Sequence, residues 1–125
     1  MKKIILIIVI ILYSMLGYSQ EIIKMNAYGF TFSKIEESVP SMKPVDILIT
    51  IKGMRFIIYS NTKQIYDAIS SRVVDNDGDE WVFYECIDET GKQINIYLNI
   101  NKDNQCMFVV NNDNYAWSYL CKFLE

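Results

Sequence analysis

Residues 45–59 read Val-Asp-Ile-Leu-Ile-Thr-Ile-Lys-Gly-Met-Arg-Phe-Ile-Ile-Tyr. Val45, Ile47, Ile49 and Ile51 alternate with Asp46, Leu48, Thr50 and Lys52, and beyond Gly53 the alternation resumes with Met54, Phe56 and Ile58. A two-residue turn at Lys52-Gly53 pairs Ile51 with Met54, Ile49 with Phe56 and Ile47 with Ile58. All six then share one face, so the apolar period and the turn agree on an antiparallel hairpin with one buried side.

The same logic extends downstream. Ile94, Ile96, Leu98 and Ile100 alternate with Gln93, Asn95, Tyr97 and Asn99, the pattern of a half-buried strand. A turn at Thr90-Gly91 pairs Ile87 with Ile94, Glu85 with Ile96, Phe83 with Leu98 and Trp81 with Ile100. Glu85 is the one misfit on that apolar face, which a rim position accommodates. Further on, a turn at Asn112-Asp113 sets Val110 against Tyr115 and Phe108 against Trp117. The strand that follows lines up Tyr115, Trp117, Tyr119, Cys121 and Phe123 on one side.

Upstream, Tyr28, Phe30 and Phe32 alternate with Gly29, Thr31 and Ser33 in an early strand over 28–36, which Ile22, Ile23 and Met25 extend backwards. The stretch 60–74 fits either a strand or a helical stripe of Ile65, Tyr66 and Ile69, and its β-branched content favours the strand. Residues 38–44 hold both prolines and form a loop that no central strand accommodates. Strands at this spacing, joined by short turns, predict a single all-β antiparallel meander of about seven or eight strands. A rolled sheet or small barrel is the expected architecture, and a two-sheet sandwich is the alternative.

The stretch 47–122 resembles a group of small exported bacterial all-β proteins whose function is unknown. The likeness lies in Ile57-Ile58-Tyr59-Ser60, Thr62-Lys63-Gln64-Ile65-Tyr66-Asp67, the Asp77-Gly78-Asp79 turn, Cys86-Ile87-Asp88-Glu89-Thr90-Gly91 and Trp117-Ser118-Tyr119. It implies export, a compact β-domain and a strand around Tyr66. It brings no activity and no site residues.

At the N-terminus, Lys2 and Lys3 precede the apolar run 4–16, and Gly17-Tyr18-Ser19 closes it with small residues ahead of Gln20. That is the layout of a cleavable secretory signal over 1–19, and the run is shorter than the about 20 apolar residues of a membrane span. The expected mature domain is 20–125, soluble after cleavage, in the periplasm, at the cell surface or outside the cell. Losing Lys2 and Lys3 leaves ten basic residues against fifteen acidic ones, and the net charge moves from −3 to −5. An acidic domain is a poor match for nucleic acid or for anionic lipid.

The sequence holds no histidine, which removes the commonest general base, the His-activated nucleophiles and most zinc sites. Cys86, Cys106 and Cys121 have no C-x-x-C spacing and are expected to be buried, with at most one bridge among them. Asp75, Asp77 and Asp79 place oxygen ligands at alternate positions, as calcium requires. Gly78 is fourth rather than sixth in that run, though, and a hairpin loop is the preferred reading. No cofactor is expected otherwise. Tyr115, Trp117 and Tyr119, with Trp81, are candidates for a ligand-binding aromatic face, although alternating aromatics more often build cores. Paired acids such as Glu85 with Asp67 or Glu80 leave a carboxylate-dependent hydrolase as a distant option. The function expected first is a non-enzymatic module for a macromolecular partner, protein or glycan. The alternative is a small-ligand or glycan carrier.

Overall fold

The computed structural model describes residues 22–34, 41–76, 79–100 and 105–124. Residues 1–19, where a signal is expected, lie outside them. Eight strands follow one another: β1 (Ile22–Lys34), β2 (Lys43–Lys52), β3 (Arg55–Ile58), β4 (Gln64–Asn76), β5 (Asp79–Asp88), β6 (Gln93–Ile100), β7 (Gln105–Asn111) and β8 (Tyr115–Phe123). Each pairs antiparallel with the next, and β1 pairs with β8, so the meander closes into a barrel. Closure gives every strand a neighbour on both sides over part of its length, which the edge strands of a sandwich lack. The stretch 64–76 is strand rather than helix.

All three hairpins form, each in a register other than the one expected from the pattern. In the first, the turn is Gly53-Met54, so that Ile51 faces Phe56 and Ile49 faces Ile58. Turns that match strand twist need a positive φ at their first central residue, and Gly53 supplies it at 63°. This shift of two residues leaves every side chain on its expected face. The third hairpin shifts likewise, with Val110 opposite Trp117 and Phe108 opposite Tyr119. Its turn is Asp113-Asn114 because the Asn112 side chain closes it, Oδ1 accepting from the N–H groups of Asn114 (2.9 Å) and Tyr115 (2.8 Å).

In the second hairpin the error is one residue, and its consequence is larger. The loop is Glu89-Thr90-Gly91, with Gly91 at φ 86° and Asp88 N–H donating to Lys92 O at 2.9 Å. Asp88 Oδ1 organises this loop by accepting from Thr90 N, Thr90 Oγ1 and Lys92 N at 2.7–2.9 Å. Those donors hold its carboxyl below the ordinary range. The three-residue loop pairs Tyr84 with Ile96 and Cys86 with Ile94. A slip of one flips the strand. Val82, Tyr84 and Cys86 therefore point into the core, while Trp81, Phe83, Glu85 and Ile87 face outward and Glu85 no longer conflicts with the pattern.

The core fills the barrel axis. Phe56 packs edge-on to Tyr84 at 4.9 Å and lies 5.7 Å from Phe108, which meets Tyr119 at 6.3 Å. Eight strands enclose just enough width for such side chains. Two register shifts bend the wall, one in β1 between Ala27 and Gly29 and one in β4 between Ala68 and Ser70. The first changes which parity faces inward, so Met25 and Ala27 on one side of it and Phe30 on the other all reach the core. Beyond the second, from Ile69 to Val74, β4 pairs with β5 and no described strand lies on its other side.

The three cysteines are buried and free. Cys106 and Cys121 are opposite each other in register. The Asn112–Tyr115 pair is hydrogen-bonded at 3.0 Å, and such pairs recur every second residue, which makes Cys106–Cys121 one of them. Side chains lie farther apart there than in the intervening pairs, whereas a relaxed disulfide needs Cβ atoms about 3.5–4.5 Å apart. Burial pushes the Cys86 and Cys121 thiols up to about 12 and the Cys106 thiol well above its usual range. Iodoacetamide at mildly alkaline pH is therefore expected to leave all three unmodified in the native chain and to alkylate all three in urea. Rapid native labelling, read by intact mass, would contradict this burial.

Candidate functional site

The barrel wall is incomplete at one end. β3 is only four residues long, and its last bond to β2 is Tyr59 N–H to Leu48 O at 2.9 Å. β2 continues beyond that point to Lys43, paired with β1 but with no described strand on the β3 side. Pro44 stands in this stretch, contrary to the expectation of a loop through residue 44. Its missing N–H is tolerated because β2 is an edge there.

The gap is a cleft of about 720 Å³. Val45, Asp46 and Ile47 form one wall, the segment Tyr59–Thr62 forms the other, and Phe30, Gln64 and Tyr119 make the floor. Ser60 Oγ donates to Thr62 O at 2.6 Å and pins the loop wall. Lys63 Nζ sits 5.5 Å from the Tyr59 ring centroid. The cleft thus offers apolar side chains, hydroxyls and a strand edge side by side.

Gln64 is the polar centre of the mouth. Its Oε1 accepts from Tyr66 OH at 2.7 Å and from Trp117 Nε1 at 3.2 Å. Its Nε2 donates to Ser60 Oγ at 3.0 Å and, more weakly, to Tyr119 OH at 3.4 Å. A primary amide has two donors and two acceptor sites, and all four are used. Because β4 and β8 are half the barrel apart in strand order, these bonds span the mouth. Burial raises the Tyr66 and Tyr119 hydroxyls above the usual phenol range, so both stay protonated and able to donate at neutral pH.

The aromatic row expected on β8 exists and faces inward, graded along the strand. Tyr119 is in the core and forms part of the cleft floor, packed 5.2 Å from Phe30. Trp117 is partly buried against the core. Tyr115 is at the rim, stacked 5.3 Å from Phe32, which is 49% exposed. Trp81 does not join them. It lies on the outer face towards the opposite end, in a shallow groove of about 350 Å³ with Val74, Tyr97 and Val109.

Asp75 borders that same groove and is paired with Glu80 across the hairpin. Asp77 and the Asp79 side chain lie outside the described residues, and among the described residues no group of three potential metal ligands comes together. Asp67 is engaged with Arg55, which donates to it from Nε at 2.8 Å and from the guanidinium at 3.1 Å. Glu85 faces outward on β5.

Sequence reasoning misses the cleft itself. Its signal is the polar run Ser60-Asn61-Thr62-Lys63-Gln64, which ends β3 early and leaves β2 without a neighbour. Compared with protein-family models, curated proteins and solved structures, the chain matches none.

Proposed function

We propose that the chain is an exported, non-enzymatic binding domain that takes an extended segment of a partner protein into the cleft beside β2. One observation carries the proposal: β3 stops at Ile58 while β2 runs on to Lys43, so a strand edge borders an open apolar-and-polar slot. Added strands gain main-chain hydrogen bonds from such an edge and specificity from the side-chain pockets beside it. Here Tyr59, Ile47 and Phe30 supply apolar contact. Gln64 supplies a donor, since its 3.4 Å bond to Tyr119 is the longest of its four and the one a partner carbonyl displaces most readily. Export rests on the pattern of residues 1–19, with the periplasm or cell surface as the place of action. The filled barrel axis favours a site on the wall over an enclosed ligand cavity. The absence of histidine supports a binding role over catalysis.

The test is selection from a random library of displayed peptides against the chain from Gln20, which contains all eight strands. Enriched peptides are expected to alternate apolar and polar residues. Tyr59→Ser, at an exposed position of the cleft, is expected to weaken them at least ~10-fold, as loss of an aromatic anchor does. Ile69→Ser on the distant β4 edge should leave them unchanged. Failure to enrich any peptide, or equal sensitivity at both positions, refutes the proposal.

A further inference from the structure

We propose that the groove between the β5–β6 and β7–β8 turns is a second binding site, for a neutral saccharide, with Asn95 as the acceptor that reads a sugar hydroxyl. The groove measures about 380 Å³ and is lined by Gln93, Asn95, Asn111, Asn112, Asn114 and Tyr115. That volume falls within the roughly 300–1,000 Å³ of small-molecule sites. Its residues are separate from those of the cleft, so the inference does not rest on the peptide reading.

The central observation is an orphan. Asn95 Oδ1 is buried and accepts no hydrogen bond. Buried polar atoms are almost always paired, because an unmet acceptor costs stability. In register, Asn95 lies between Glu85 on β5 and Asn111 on β7, and neither satisfies that oxygen. Turned towards the groove that Asn95 helps to line, the amide oxygen would meet a hydroxyl donor entering there. The remaining lining matches the same chemistry, since side-chain amides both donate and accept, as sugar hydroxyls do.

Charge and rigidity narrow the ligand. One cation, Lys92, and one anion, Asp113, stand at the groove, which disfavours a phosphate or a fatty acid and suits a neutral molecule. Tyr115 offers an aromatic edge whose position is fixed by stacking on Phe32. Both flanking turns are held by side chains, Asp88 in one and Asn112 in the other, so the walls are set before ligand arrives and ordering costs are small.

The experiment is an amide-resolved NMR titration of the chain from Gln20 with glucose, N-acetylglucosamine, cellobiose and chitobiose, each to about 50 mM. At least one sugar is expected to give saturable shifts confined to 92–95 and 111–115. Asn95→Leu keeps the side-chain shape and removes the orphan. It is expected to raise the Kd at least ~10-fold while the Tm stays level or rises by roughly 4–8 °C. Asn111→Ser, on the same wall, is the second variant and should weaken binding several-fold. Absence of saturable shifts for all four sugars overturns the proposal. So do shifts centred on the cleft instead, or unchanged affinity in the two variants.

Discussion

Phe56→Ala is expected to cost the barrel about 3–5 kcal/mol, the range for a fully buried phenylalanine cut back to its β-carbon. Phe56 is 0% exposed and sits on the axis between Tyr84 and Phe108. Its own strand is paired with β2 on one side and β4 on the other at this position, so the wall has little freedom to collapse into the void. A domain of this size has about 5–15 kcal/mol in total, and the loss consumes much of it. Urea unfolding should show the midpoint falling with little change in slope. A loss under ~1 kcal/mol would mean that the axis is not packed as described.

Gln64→Leu is expected to cost about 2 kcal/mol, because it strips partners from Tyr66 OH, Trp117 Nε1, Ser60 Oγ and Tyr119 OH together. The bonds are part-buried and water regains some of them, which keeps the figure below the sum of four. Pairing the change with Trp117→Phe isolates one of those bonds. The double variant should be less destabilised than the two singles added, since the indole N–H has then gone along with its acceptor. Strict additivity would remove Gln64 from the centre of the mouth. The tryptophan emission should also shift to longer wavelength in Gln64→Leu as water reaches the indole.

The barrel was legible because its strands alternate cleanly. Ile47, Ile49 and Ile51 share one face in a strand, whereas a helix would spread them around its axis, and β6 repeats that pattern from Ile94 to Ile100. The registers were less legible, since turn chemistry rather than hydrophobicity decides them. Gly53 moved one turn by taking the positive φ, and the Asp88 carboxylate drew a third residue into another. The latter change put Tyr84 inside and Trp81 outside, and thereby separated Trp81 from the β8 aromatics with which it had been grouped.

The candidate sites were the hardest to foresee, for a physical reason. The cleft is defined by where a strand stops, and the groove by an oxygen that nothing satisfies. Neither is a motif. Ser60 to Gln64 look like an ordinary polar loop in the sequence, and only closure of the barrel places Gln64 against Trp117 and Tyr119. Asn95 likewise looks like any outward residue of an alternating strand, and only the folded barrel leaves its Oδ1 buried without a partner.

The claim that β2 offers its edge to a partner strand is tested most directly by hydrogen exchange with a selected peptide bound. Those amides of 43 and 45–48 that point away from β1, with those in the 59–63 segment, are expected to gain protection, while those from 69 to 74 on the β4 edge exchange as before. Protection on the β4 edge, or none along 43–48, would contradict the account.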